Sequence, residues 1–99
     1  MQAELKALRD QIDALDRRLL KMLSDRLKLV LQVGELKRQH GMVVRDDKRE
    51  RDMLEALPKL AEAPLTPESV YRTYVLLIDE ARTIEEAYVY GDKPRPPGA

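Results

Sequence analysis

The chain has 99 residues, 43% of them hydrophobic and 36% charged, which suits one small domain. Eighteen Lys and Arg balance eighteen Asp and Glu, and that neutrality argues against a nucleic-acid-binding arm or a polybasic membrane patch, both of which need surplus cations. With no Cys and a single His, His40, the sequence cannot supply a disulfide, a thiolate metal site, a Cys nucleophile, a zinc site or a His-based triad.

The opening residues MQAELKALRD are mixed in charge and lack the apolar core of a signal peptide. The densest apolar stretch, Leu27 to Val33, is broken by Lys28 and Gln32 and falls short of the ~20 residues of a membrane span. A soluble, cytoplasmic protein is expected.

Residues 3–39 contain no Pro and one Gly, Gly34. In alternating steps of three and four they carry Leu5, Leu8, Ile12, Leu15, Leu19, Met22, Arg26, Leu29, Val33 and Leu36, apolar everywhere except Arg26. This pattern predicts a helix of about 37 residues, ~55 Å long, belonging to a coiled coil or bundle. Gly34 costs that helix about 1 kcal/mol and leaves room for a second helix or a ligand to approach. His40-Gly41 supplies the stop, and MVVRD reads as a loop. Asp46 or Asp47 caps a second helix to about Leu57, with Pro58 either a kink or the stop. A weakly structured stretch to Pro64 follows.

Thr66-Pro67-Glu68 is a strong helix start, an N-cap followed by Pro at the first position and then an acid. The third helix is predicted over 67–88, with Val70, Tyr74, Leu77, Ile78, Ala81, Ile84 and Tyr88 facing inward. The tail GDKPRPPGA, residues 91–99, is Pro/Gly-rich and reads as disordered, a free end or the start of a linker, leaving residues 1–90 as the domain. The fold class is therefore all-α, one long helix and two shorter ones. The two shorter helices shield only part of the first, and a ring of Leu20, Leu23, Leu27, Val30 and Leu31 off the main seam also needs cover. A second copy, forming an intertwined homodimeric bundle, is the simplest remedy.

Several polar residues fall where packing is expected. Arg26 either snorkels out of the seam or pairs with an acid across the bundle. Lys37 lies eleven residues on, on nearly the same face and ~16 Å away. Arg9 precedes Arg26 by 17 residues, ~100° round the helix, so it cannot easily meet the same small ligand from the same helix. In an antiparallel dimer the partner's Arg9 can; otherwise Arg9 is a solvated rim residue. Arg45, Asp46, Arg49, Glu50 and Arg51 crowd the second helix's start, as a solvated face capped by Asp or as an anion site. Glu85 lies close to the third helix's inner stripe, either at a fraying edge or buried. If it is buried, desolvation raises its pKa and a nearby Lys lowers it. His40 is read as a helix-end residue, and Tyr71, Tyr74, Tyr88 and Tyr90 as packing and rim groups. No phosphate loop, metal-ligand spacing or nucleophile–base pair appears. The remaining cations, with Glu50 and Glu85, form a set able to bind a small dicarboxylate.

Three stretches, LRDQIDALDRRLLKMLSDR (8–26), VGELK (33–37) and VRDDKRERDMLEAL (44–57), together resemble the all-helical, bacterial-type chorismate mutase family, a likeness running from about Leu5 to Glu86. The resemblance implies an intertwined dimer with two sites, each using both chains, that converts chorismate to prephenate by a pericyclic rearrangement in aromatic amino-acid biosynthesis, without cofactor or metal. Residue by residue, it implies that Arg26 and the partner subunit's Arg9 hold the two carboxylates and that Lys37 donates to the ether oxygen. Glu50 and the Asp46 backbone would take the ring hydroxyl, with Arg49 supporting the ring carboxylate. Glu85 stands where enteric bacterial members carry Gln, the second donor to the ether oxygen, and fungal members are among those that use Glu. Ala81 stands where the enteric members carry a Ser that contacts substrate.

An ionised Glu85 repels the developing oxyanion and a protonated one donates to it, so activity is expected to fall as pH rises through the Glu85 pKa. Three alternatives remain open at this point. One is an isochorismate-pyruvate lyase of the same fold. Another is a non-catalytic chorismate- or prephenate-binding module regulating a fused or partner shikimate-pathway enzyme. The last is a bare helical dimerisation module.

Overall fold

The computed structural model describes residues 1–91, so from residue 92 onward the expected disordered tail lies outside the described residues. Among the described residues the architecture is all-helical, with no strand. Helix α1 spans Gln2–Gln39, α2 spans Asp47–Ala56, a 3-10 turn covers Leu57–Leu60, and α3 spans Pro67–Tyr90.

Each boundary has a local cause. Gly41 takes a positive φ of 65° after α1. There the Met42 N–H donates to the Lys37 carbonyl at 2.8 Å and the Gly41 N–H to that of Arg38 at 3.3 Å. This paired pattern satisfies the last carbonyls of a helix ended by a left-handed Gly. Asp46 caps α2, its carboxylate accepting the Arg49 N–H at 3.0 Å. Of the two roles expected for Pro58 the stop holds, since α2 ends at Ala56 without a kink. Pro58 sits in the first turn of the 3-10 segment, where its missing N–H leaves no bond unmade. The stretch expected to be weakly structured therefore begins with an ordered turn.

Thr66 and Ser69 cap α3 reciprocally. The Ser69 N–H donates to Thr66 Oγ1 at 3.1 Å and the Thr66 N–H to Ser69 Oγ at 2.9 Å, with Pro67 between them. The helix runs two residues beyond the expected Tyr88 and closes at Gly91, φ 56°.

The described chain forms two compact units. The first, Met1–Val30, is a stretch of α1. In it Leu8, Ile12, Leu15, Leu19, Met22 and Leu29 remain 53–67% exposed. The off-seam residues Leu23, Leu27 and Val30 are half-buried instead.

The second unit begins at Leu31 and contains the end of α1 with α2, the 3-10 turn and α3. Here α2 and α3 pack on the turn and on each other. Val44, Ile78 and Ala81 are buried, and Leu54, Leu57, Val70, Tyr74 and Leu77 are half-buried around them. The expected inner face of α3 needs correction near its C-terminal end. Ile84 and Tyr88 are exposed, whereas Glu85 and Glu86 are buried. The cause is the approach of α3 to α1 at Gly34, where an added Cβ would lie 3.0 Å from Glu85 Cγ and 3.0 Å from Val89 Cγ2. The face of α3 that closes on α1 is therefore the one carrying Glu85 and Val89.

Candidate active site

Lys37 lies in the last turn of α1, where a cation is favoured by the helix dipole. Its side chain is half-buried and Nζ donates to the Val44 carbonyl at 2.7 Å. Val44 is 3% exposed, and its own N–H donates to the Tyr90 hydroxyl at 3.1 Å. The loop after α1 is thus tied on one side to Lys37 and on the other to the end of α3.

Glu85 is 8% exposed, and its Oε2 is buried without a hydrogen-bond partner. Burial pushes its carboxyl above the ordinary Glu value, Lys37 pulls it down, and Glu86 and Glu50 push it up. Burial wins, which answers the question left open by sequence. A raised pKa favours the neutral acid, and a neutral carboxyl donates a hydrogen bond that a carboxylate cannot. Gly34 makes the space for it, since a Cβ there would stand 3.1 Å from Glu85 Oε2.

Glu50, in the first turn of α2, is half-buried and paired with Arg82 of α3. Arg82 also lies 3.9 Å from Asp79 and keeps a buried Nε without a hydrogen-bond partner. Sequence reasoning did not single out Arg82 or the buried Glu86. Arg82 sits three residues before Glu85 and so shares its side of the helix, which was the available signal. Nothing comparable marked Glu86.

The structure brings Lys37 and Glu50 within electrostatic reach of Glu85. Ala81 is buried one turn before Glu85. Asp46 and Arg49 are exposed and build the α2 cap, and the Asp46 carbonyl accepts the Glu50 N–H at 3.1 Å. Arg45 pairs with Asp47 at 2.6 Å. Arg9 and Arg26 are carried by the Met1–Val30 unit, Arg9 exposed and Arg26 half-buried. Among the described residues, no group of three or more His, Asp or Glu side chains is arranged to hold a metal ion. No helix among them is long and apolar enough to cross a membrane.

The fold is all-helical, and its half-buried Lys37 acts on a buried carboxyl, Glu85, whose pKa burial raises. The chorismate mutase type II family matches residues 8–86, and the chain belongs to it. It is 51% identical over 63 residues to the T-protein of Enterobacter agglomerans, covering 64% of this chain and 17% of that protein. It is 39% identical over 84 residues to the bifunctional chorismate mutase/prephenate dehydratase of Escherichia coli K12, covering 84% of this chain and 22% of that one. The chain thus spans about a fifth of the length of these two relatives. A chorismate mutase of Methanocaldococcus jannaschii is 27% identical over 87 residues, covering 87% of this chain and 88% of its own. Among solved structures, chorismate mutase (Form II) from Thermus thermophilus aligns with a TM-score of 0.79 at 30% identity, over 84% of this chain and 94% of that one.

Proposed function

We propose that this chain is a chorismate mutase, rearranging chorismate to prephenate in aromatic amino-acid biosynthesis. Residues 1–90 would form the mutase domain of a soluble, cytoplasmic homodimer. The observation that carries the reading is the closeness of two unpaired groups: Lys37, its ammonium held on the Val44 carbonyl, and Glu85, a buried acid whose pKa burial raises. In the rearrangement the ether C–O bond breaks as a C–C bond forms, and negative charge grows on the ether oxygen. A lysine ammonium and a neutral carboxyl are two donors suited to that oxygen, and they stabilise charge present chiefly in the transition state. No electron, proton or group leaves the substrate, so no cofactor enters the balance.

Arg26 and the partner subunit's Arg9 would hold the two substrate carboxylates. Arg49 would support the ring carboxylate, and Glu50 with the Asp46 backbone would take the ring hydroxyl. Restraining a flexible dianion in a compact conformer supplies the rest of the acceleration. Ala81 offers no hydroxyl to the substrate; if a Ser there made a productive contact, its absence costs about 0.5–1.5 kcal/mol of binding.

The homodimer is supported by the apolar residues of α1 left open in the single chain, Leu8, Ile12, Leu15, Leu19, Met22 and Leu29. A fused or separate shikimate-pathway enzyme is the further partner class, as the name of the E. coli relative joins the mutase to prephenate dehydratase.

The test is incubation of the purified chain with chorismate and, separately, with isochorismate, identifying the products. Prephenate from chorismate is the expected result. Pyruvate release from isochorismate as the main activity would make the chain a lyase. Chorismate or prephenate binding without turnover would make it a regulatory module.

A further inference from the structure

The hydroxyl of Tyr90, the last residue of α3, accepts the Val44 N–H, and the carbonyl of the same residue, in the next peptide unit, holds Lys37. Val44 is almost fully buried, so its N–H has no route to water and depends on that hydroxyl. The two groups belong to successive peptide units joined at the Val44 Cα, so the hydroxyl acts on the carbonyl by fixing the backbone there, and the ammonium makes the carbonyl contact charge-assisted. Lys37 has an obvious competing partner. Glu85 Oε2 is buried nearby without a hydrogen bond, and the Lys37 charge already acts on it. Closing that ion pair would ionise Glu85 and remove the proton it needs in order to donate.

We infer that Tyr90 is a positioning residue, its hydroxyl fixing the Val44 backbone so that the Val44 carbonyl keeps the Lys37 ammonium from pairing with Glu85. The inference rests on the mutase reading for its kinetic consequence, because a withheld ion pair matters only where Glu85 must stay a donor. The charged groups acting on Glu85 are Lys37 from α1, Glu50 from α2 and Glu86 beside it on α3. Arg82, one turn before Glu85, is engaged by Glu50. Lys37 is thus the cation in this set free to change partner when its carbonyl anchor loosens.

Tyr90→Phe keeps the ring and removes the hydroxyl. In the variant, Lys37 moves onto Glu85, and the Glu85 carboxyl, followed by side-chain carbon NMR, titrates at lower pH than in the wild type. The falling limb of kcat for prephenate formation moves in the same direction. On that limb the rate drops by about tenfold, while KM changes less. In a Glu85→Gln background, Tyr90→Phe leaves the pH profile where it was, which a merely structural loss would not do.

A Glu85 titration identical in wild type and Tyr90→Phe overturns the inference. If Tyr90→Phe does not fold, the wild-type titration decides: Glu85 titrating at or below the ordinary Glu value means that no ion pair is being withheld. The titration needs no turnover. A shifted titration without prephenate formation would sink the mutase reading alone, and prephenate formation with an unshifted titration would sink the role of Tyr90 alone.

Discussion

In the Met1–Val30 unit, leucines, an isoleucine and a methionine of one helix seam stand more than half exposed, and ion pairs such as Lys6–Asp10 and Lys21–Asp25 lie on the surface. The unit from Leu31 onward also leaves apolar residues such as Leu36, Leu60 and Leu76 exposed, but two carboxylic side chains are among its most buried residues, and the half-buried Lys37 acts on one of them, Glu85. Both regions leave apolar surface uncovered, and the second alone also buries groups that prefer water. Exposed apolar area is relieved by another surface, so the first region points to a second copy. Buried ionisable groups cost stability and are kept where their altered chemistry is used, so the second region points to catalysis.

The largest effect should come from breaking the first half of this contrast. In the proposed homodimer Leu15→Asp would place a charge in the seam of both copies, removing about 1.5–3 kcal/mol of burial per chain before any desolvation cost. Dimer dissociation measured by sedimentation should rise by about 10²-fold or more, and an unchanged sedimentation profile would show that the seam is not the interface. In the second region, Lys37→Ala should lower kcat by about 10²–10³-fold, the usual cost of losing one oxyanion donor, and should lower the melting temperature modestly, because the Val44 carbonyl loses its partner. Near-normal turnover would remove Lys37 from the chemistry.

Gly34→Ala should act more weakly, and on both stability and rate. A gain in helix propensity of about 1 kcal/mol is set against crowding of Glu85 and Val89, which costs about 1–3 kcal/mol. A net destabilisation of up to about 2 kcal/mol in denaturant titration is expected, together with reduced kcat because Glu85 is displaced. A stabilised, fully active variant would mean that α3 yields freely at this point.

What could be read from sequence divides along the same line. The long period of α1 and the Gly41, Asp46 and Thr66-Pro67 boundaries are local patterns, and each appears within two residues of its expected place. Gly34 was expected to admit a close neighbour, and the neighbour is α3. The rotation of α3 that buries Glu85 and Glu86 and exposes Ile84 and Tyr88 was not legible, because it follows from that long-range approach rather than from the helix's own apolar stripe. The Arg82–Glu50 pair joins residues 32 apart in sequence, and no local spacing announces it. For Glu85 the residue and its two opposing influences were legible, but their balance depends on how deeply the side chain is buried.

The pH dependence of prephenate formation by wild type and Glu85→Gln tests that balance most directly. The ordinary Glu value is 4.5 and the folded-state value lies above it. Between the two, the unfolded chain has released the Glu85 proton while the folded chain keeps it. Thermal stability should therefore decline as pH rises through that window, and kcat should decline as pH passes the folded-state pKa. Gln cannot ionise, so Glu85→Gln should keep its rate at high pH and lose this component of the stability profile. A wild-type rate that is flat well into the alkaline range, and unaltered by Glu85→Gln, would contradict the assignment of Glu85 as a proton-bearing donor.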